Sequence, residues 1–241
     1  MKKTLTTILL SLLLFAVMPA FAEDEPGVDG KSHKGPLTKI TFIHYKKNSA
    51  RAAGNGKNKF SSCYSFLASG AKWKTAENYY INPVNSGVNE GLVFNAIISS
   101  TAEWEKYGGD IFGGGAIDYN LNDNGGNLDN KNVAFFDSYN DPDVIAVTTV
   151  WGYFYGAPKS REIVEWDMQF NTGFAWGDAA VNPVLMDIQN IATHELGHSA
   201  GLGDLYTTAC SAETMYGYAS EGEISKRDLN QGDILGLQAL Y

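Results

Sequence analysis

His194-Glu195-Leu196-Gly197-His198-Ser199-Ala200-Gly201-Leu202-Gly203-Asp204 is the most telling stretch of this 241-residue chain. Its pattern, H-E-x-x-H-x-x-G-x-x-D, has the form of a catalytic zinc site that carries its own general base. Positions i and i+4 of a helix stand one above the other, so His194 and His198 can offer two imidazole nitrogens to a single ion. Glu195 lies beside them, placed to hold a reacting water. Gly201 lets the backbone leave the helix in a conformation that side chains resist, turning it back toward the metal. Asp204 then arrives where a third ligand is needed. Elimination agrees: of the four histidines, His33 and His44 lie far upstream and none follows His198. A catalytic zinc takes three protein ligands and keeps one position open, so a carboxylate is expected to complete the set.

Three stretches together resemble the metzincin metallopeptidases, and within them the matrixin-like branch. The first is the zinc motif. The second is Thr214-Met215-Tyr216-Gly217-Tyr218, similar to the Met-turn, in which a methionine (here Met215) forms an apolar floor under the metal. The third is Leu229 to Tyr241, similar to the closing helix of matrixins. Physics alone gives that tail Asn230 as an N-cap, Asp233 to meet the free amides, and Ile234, Leu237 and Leu240 at helical spacing. The resemblance covers residues 71–241. It implies an α+β catalytic domain with a mixed twisted β-sheet, a long helix, an active-site helix, a Met-turn and a C-terminal helix. It also implies a zinc endopeptidase in which Glu195 is the general base and an extended substrate lies along a sheet edge.

The chain departs from the family in places. Asp204 resembles the rarer aspartate variant of a ligand position that is usually histidine, and Asp is the harder ligand. Gly217 stands where an astacin-like tyrosine ligand would be, so no tyrosine ligand is expected. Residues 60 to 193 contain no histidine, which leaves a single zinc as the expectation. Two other readings stay open: a zinc peptidase class completed by a downstream glutamate, Glu221 or Glu223, and a non-catalytic exported binding module on the same fold. The intact Glu195 speaks against the latter.

The N-terminus points outward from the cytoplasm. Lys2 and Lys3 precede an apolar run from Ile8 to Met18, too short to span a membrane, and Ala20-Phe21-Ala22 suits signal peptidase. We therefore expect residues 1–22 as a signal peptide, 23–70 as a leader or pro-segment, 71–241 as the catalytic domain, no stable membrane anchor, and a secreted or periplasmic monomer. Residues 31 to 59 hold eight Lys or Arg and no acid, whereas 60 to 241 hold eight against 23 Asp or Glu. So acidic a body repels phosphates and excludes nucleic acid as the expected partner; a protein or peptide substrate is expected instead. The basic leader reads equally as a segment docked on that body or as a solvated linker with Ala53-Gly54-Asn55-Gly56.

In the middle of the chain, strands are expected at Asn78 to Asn82, Asn132 to Asp137, Val144 to Trp151 and Glu162 to Phe170. A helix is expected from Asn89 to Tyr107, where Val93, Phe94, Ile97, Ile98, Thr101 and Trp104 recur at three-and-four spacing, and Asp187 opens the helix of the zinc motif. The loop from Asp118 to Asp129 offers oxygens for calcium, but its glycines do not fit an EF-hand and no glutamate closes it, so a polar turn is preferred. Cys63 and Cys210 are the only cysteines. A disulfide is the default in an exported protein. The alternative is a latency switch in which Cys63 takes the fourth position on zinc, although Ser62-Cys63-Tyr64 does not match the matrixin switch motif.

Overall fold

Apolar periodicity and caps set the helices. In the computed structural model, which describes residues 35–47 and 63–241, Asn89 caps helix α1 (Glu90–Gly108) by accepting the Gly91 amide at 2.9 Å. Its buried face carries Val93, Ala96, Ile97, Ser100, Thr101 and Trp104. Asp187 caps α2 (Ile188–Ser199) through the Asn190 amide at 2.8 Å. The tail forms α3 (Gln231–Leu240) with Asn230 as N-cap. These starts agree with the sequence reading, because a capping oxygen satisfies amides that the first turn leaves free.

Nine strands accompany the helices among the described residues: β1 (Leu37–Lys46), β2 (Glu77–Asn82), β3 (Phe112–Ile117), β4 (Asn132–Asp137), β5 (Val144–Tyr153), β6 (Glu162–Asn171), β7 (Trp176–Gly177), β8 (Met186–Asp187) and β9 (Tyr218–Ala219). Seven of them form one twisted mixed sheet in the order β3-β2-β4-β6-β5-β1-β9. Strands β3, β2, β4 and β6 run parallel, β5 runs antiparallel to β6, β1 antiparallel to β5, and β9 parallel to β1. With three helices against this sheet, the chain has the expected α+β architecture. The core lies between sheet and helices and includes Trp104, Trp166, Ile97, Leu196 and Met215; each large apolar side chain so buried contributes about 1.5–3 kcal/mol. Indole donors tie the layers together. Trp104 Nε1 donates to the Thr193 carbonyl of α2 at 2.8 Å, and Trp73 Nε1 to that of Ser199 at 2.8 Å.

Five strands were not expected: the two-residue β7, β8 and β9, and the longer β1 and β3. β3 reads Phe-Gly-Gly-Gly-Ala-Ile, a composition with little strand propensity. Its glycines serve close packing: a Cβ at Gly115 would meet the Tyr79 ring at 2.7 Å. β1 comes from the basic leader, and the described residues, β1 among them, all fall within one packed unit. Residues 63–70 also join the body, since Leu67 donates to the Gly201 carbonyl at 2.9 Å and Gly203 to that of Ser65 at 2.9 Å. Cys63 and Cys210 form the disulfide, with Cα atoms 5.4 Å apart, so Cys63 has no free thiol to act as a latency switch. The expected signal peptide (1–22) and the leader residues 23–34 and 48–62, Ala53 to Gly56 among them, lie outside the described residues. Among those described, no helix is long and apolar enough to cross a membrane.

Candidate metal centre and active site

Helix α2 presents His194 and His198 on one face, with ring centroids 5.0 Å apart. Each ring is fixed through its Nδ1. His194 Nδ1 lies 2.7 Å from the Thr214 carbonyl and His198 Nδ1 3.0 Å from that of Leu202. A carbonyl only accepts, so both Nδ1 atoms carry the proton and both Nε2 atoms present a lone pair inward, the arrangement that metal-binding histidines adopt. Gly201 then turns the chain with φ +105°, where an added Cβ would stand 2.6 Å from the Ala71 carbonyl oxygen. This is the turn expected from the sequence, and it delivers Asp204. Asp204 Oδ1 lies 3.3 Å from His194 Nε2 and 3.5 Å from His198 Nε2.

These separations fit a metal. Ligands held about 2.0–2.1 Å from a tetrahedral ion stand about 3.3 Å from one another. Three buried polar atoms here, His44 Nε2, His194 Nε2 and Asp204 Oδ1, lack a hydrogen-bond partner. Such atoms are costly unless something else satisfies them, and an ion does so. Burial pushes the His194 pKa down to about 4, keeping it neutral as a ligand must be. For Asp204 burial acts in the opposite sense, but the two histidines outweigh it and hold the carboxyl well below the ordinary range. Tyr206 donates its hydroxyl to Asp204 Oδ2 at 2.9 Å, fixing the carboxylate's second oxygen. The Glu221 and Glu223 alternatives are placed otherwise: Glu221 pairs with Lys46 at 2.6 Å, and Glu223 lies 3.7 Å from Lys226 Nζ.

Under this group lies Met215, as the resemblance implied. Gly197 makes room for it, because a Cβ there would stand 2.1 Å from Met215 Sδ and 2.7 Å from the Trp104 ring. Asp233 holds the turn by accepting the Thr214 amide at 2.7 Å and the Met215 amide at 3.0 Å. Buried Lys226 holds the next segment, donating to the carbonyls of Tyr216 at 2.8 Å and Tyr218 at 2.6 Å.

Glu195 is fully buried, and burial lifts its pKa to about 7 against the pull of His198 and of the Thr148 hydroxyl. Thr148 on β5 donates to Oε2 at 2.6 Å, and His44 Nδ1 lies 3.0 Å from Oε1. Sequence reading missed both. Thr148 carries no signal in an apolar strand, and His44 was set aside for its distance along the chain. Tyr206 and Lys226 were missed too, since a lone tyrosine or lysine ordinarily marks a solvated surface. A signal existed for His44: it is the one histidine inside the alternating run Ile40, Phe42, His44.

The candidate calcium loop satisfies its own amides. Asp118, Asn122 and Asp123 accept from Asn120, Asn124 and Gly125 at 2.9, 2.9 and 3.1 Å. Among the described residues, the clusters that bring three His, Cys, Asp or Glu ligand atoms within reach of one ion are His194-His198-Asp204 and His44-His194-Glu195.

The family model of the matrixin peptidases matches residues 133–241, from β4 through α2 and the turn at Met215 to the C-terminus. No curated protein matches the chain. Over the matched residues, a little under half of the chain, it is similar to the matrixin peptidases, a metallopeptidase family that implies zinc.

Proposed function

We propose that the chain is an exported zinc endopeptidase that cleaves protein or peptide substrates, with His194, His198 and Asp204 holding the ion and Glu195 acting as general base. One observation carries this reading: lone pairs on His194 Nε2 and Asp204 Oδ1 converge without partners beside a buried carboxylate. When bound there, zinc supplies a Lewis acid that polarises the scissile carbonyl and makes water acidic enough to lose a proton near neutral pH.

Glu195 takes a proton from the attacking water and passes it to the leaving nitrogen. A pKa near 7 suits a group that must both accept and donate within one turnover. Thr148 fixes one carboxylate oxygen and leaves the other for the water. The edges of β5 and β9 give an extended substrate backbone partners on both sides, so affinity comes from the main chain and selectivity from side chains. Export is supported by the disulfide and by the signal-like N-terminus.

β1 covers the site, so the test compares the full chain with the same chain cut at a protease site placed between residues 47 and 63. The cut, zinc-loaded protein should hydrolyse casein, lose that activity to a chelator and regain it with zinc. Hydrolysis unaffected by metal removal would overturn the reading.

A further inference from the structure

An aspartate in the third ligand position raises a difficulty that a histidine does not. An imidazole offers a metal one nitrogen while the other keeps its own hydrogen bond, whereas a carboxylate carries two oxygens and can close on an ion with one or both. A chelating carboxylate fills an extra coordination position, and a catalytic zinc keeps one free for water. One oxygen of Asp204 must therefore be held back.

Tyr206 is placed to hold it. Leu205 lies between the two residues and is fully buried. It forms a parallel bridge with Tyr216, its amide donating to the Met215 carbonyl and its carbonyl accepting from the Gly217 amide, each at 2.9 Å. Side chains alternate along such extended backbone, so with Leu205 turned into the core, Asp204 and Tyr206 share the other side. There the two carboxylate oxygens are divided. Oδ1 faces both histidine Nε2 atoms, at 3.3 and 3.5 Å, and has no hydrogen-bond partner. Oδ2 accepts the Tyr206 hydroxyl at 2.9 Å. A bond to an ionised carboxylate is about twice as strong as one between neutral groups.

The surroundings seat the tyrosine for this contact. Its ring lies 5.4 Å from that of Tyr218, whose carbonyl Lys226 holds at 2.6 Å. Gly217 leaves it room: a Cβ there would stand 2.6 Å from Tyr206 Cε1 and 3.1 Å from Asp204 Oδ1. Gly217 does not have a positive φ, so the glycine serves this space and not a turn. Tyr206 is 39% exposed, too open for core packing to account for its position.

We propose that Tyr206 is a positioning residue of the metal centre: by holding Asp204 Oδ2 it keeps the aspartate a one-oxygen ligand, which favours zinc and leaves a coordination position open. The proposal rests on the metallopeptidase reading. Without the hydroxyl, Oδ2 is free to turn onto the ion, and the site takes on the oxygen-rich, higher-coordinate character that harder ions such as manganese prefer.

The test uses Tyr206→Phe in the full chain, with zinc and manganese affinities from chelator competition and the visible spectrum of the cobalt-loaded protein. Loss of a side chain that supports a ligand should weaken zinc binding by about 10-fold, with manganese weakened less or strengthened. Cobalt should absorb less intensely in the variant, because its visible bands fade as coordination rises above four. The melting temperature of the metal-free chain should stay unchanged while that of the zinc-loaded chain falls; an equal fall in both would mean a merely structural role and overturn the assignment. Should Tyr206→Phe fail to fold, Gly217→Ala, whose methyl displaces the same ring, carries the same expectations. Equal zinc affinity and equal cobalt spectra in wild type and variant would overturn the role of Tyr206 and leave the metallopeptidase reading standing. A failure of wild type and variant alike to take up zinc or cobalt would overturn both.

Discussion

Asp233 and Met215, 18 residues apart, are joined by a buried hydrogen bond of 3.0 Å in which the Met215 amide donates to the Asp233 carboxylate. The other carboxylate oxygen accepts the amides of Thr214 at 2.7 Å and of Asn230 at 3.0 Å. One side chain therefore starts α3 and holds the turn that carries Met215 beside His194 and His198. Asp233→Ala leaves these buried amides unpaired, a loss of about 2–4 kcal/mol by charge-assisted hydrogen bonds. Thermal melting should reveal it, with weaker zinc retention against a chelator. A melting temperature within a degree of wild type would contradict the assignment.

Gly197→Ala should be harmful although alanine favours helices. The added methyl would press on Met215 Sδ and on the rigid Trp104 ring, and overpacking of this kind costs about 1–3 kcal/mol. Pairing it with Met215→Ala should recover part of the loss in a double-mutant cycle. Simple additivity of the two would show that the methyl and the sulfur do not compete.

The third ligand is tested by ranking. Asp204→Ala should release zinc to a chelator far more readily than Glu221→Ala or Glu223→Ala, since Asp204 Oδ1 faces both histidines while the two glutamates pair with lysines. Mutating a ligand or its close support changes metal affinity by about 10–100-fold or more. The opposite ranking would favour the class completed by a downstream glutamate.

Asp167 on β6 should make the fold sensitive to alkali. Burial lifts its pKa from 3.8 to about 9, with Glu165, Asp129 and Asp123 adding to the effect. The folded chain thus holds a proton that the unfolded chain releases above about pH 4, so this group's contribution is fullest at low pH and is lost as pH rises toward 9. Asp167→Asn removes that dependence and should stabilise the fold more at pH 8 than at pH 5, by about 1–2 kcal/mol after allowance for solvent screening, seen as a larger rise in melting temperature at pH 8. Equal shifts at the two pH values would contradict it.

The sequence made local signals legible and long-range ones invisible. Caps at Asn89, Asp187 and Asn230, the apolar rhythm of α1, and the spacing from His194 to Asp204 each act within a few residues, so α1, α2, α3 and the meeting of His194, His198 and Asp204 could be read in advance. β4 matched its expected span because its apolar run ends in polar residues on both sides. β1 could not be read this way. Its alternating Thr38, Ile40 and Phe42 sit among lysines that resemble a solvated leader, and its partners lie about a hundred residues away on β5 and farther still on β9. His44 was hidden for the same reason, being 151 residues from the glutamate it meets. Thr148 and Lys226 have meaning only once the folded chain brings carboxylate and carbonyl groups to them.

The central claim is that Glu195 is the general base of a zinc peptidase. The direct measurement is the rate of casein hydrolysis beside the zinc content, for wild type and Glu195→Gln, both cut between residues 47 and 63. We predict equal zinc in the two proteins and a rate lower by about 10²-fold or more in the variant. Equal zinc with a comparable rate would remove Glu195 from the chemistry and contradict the account.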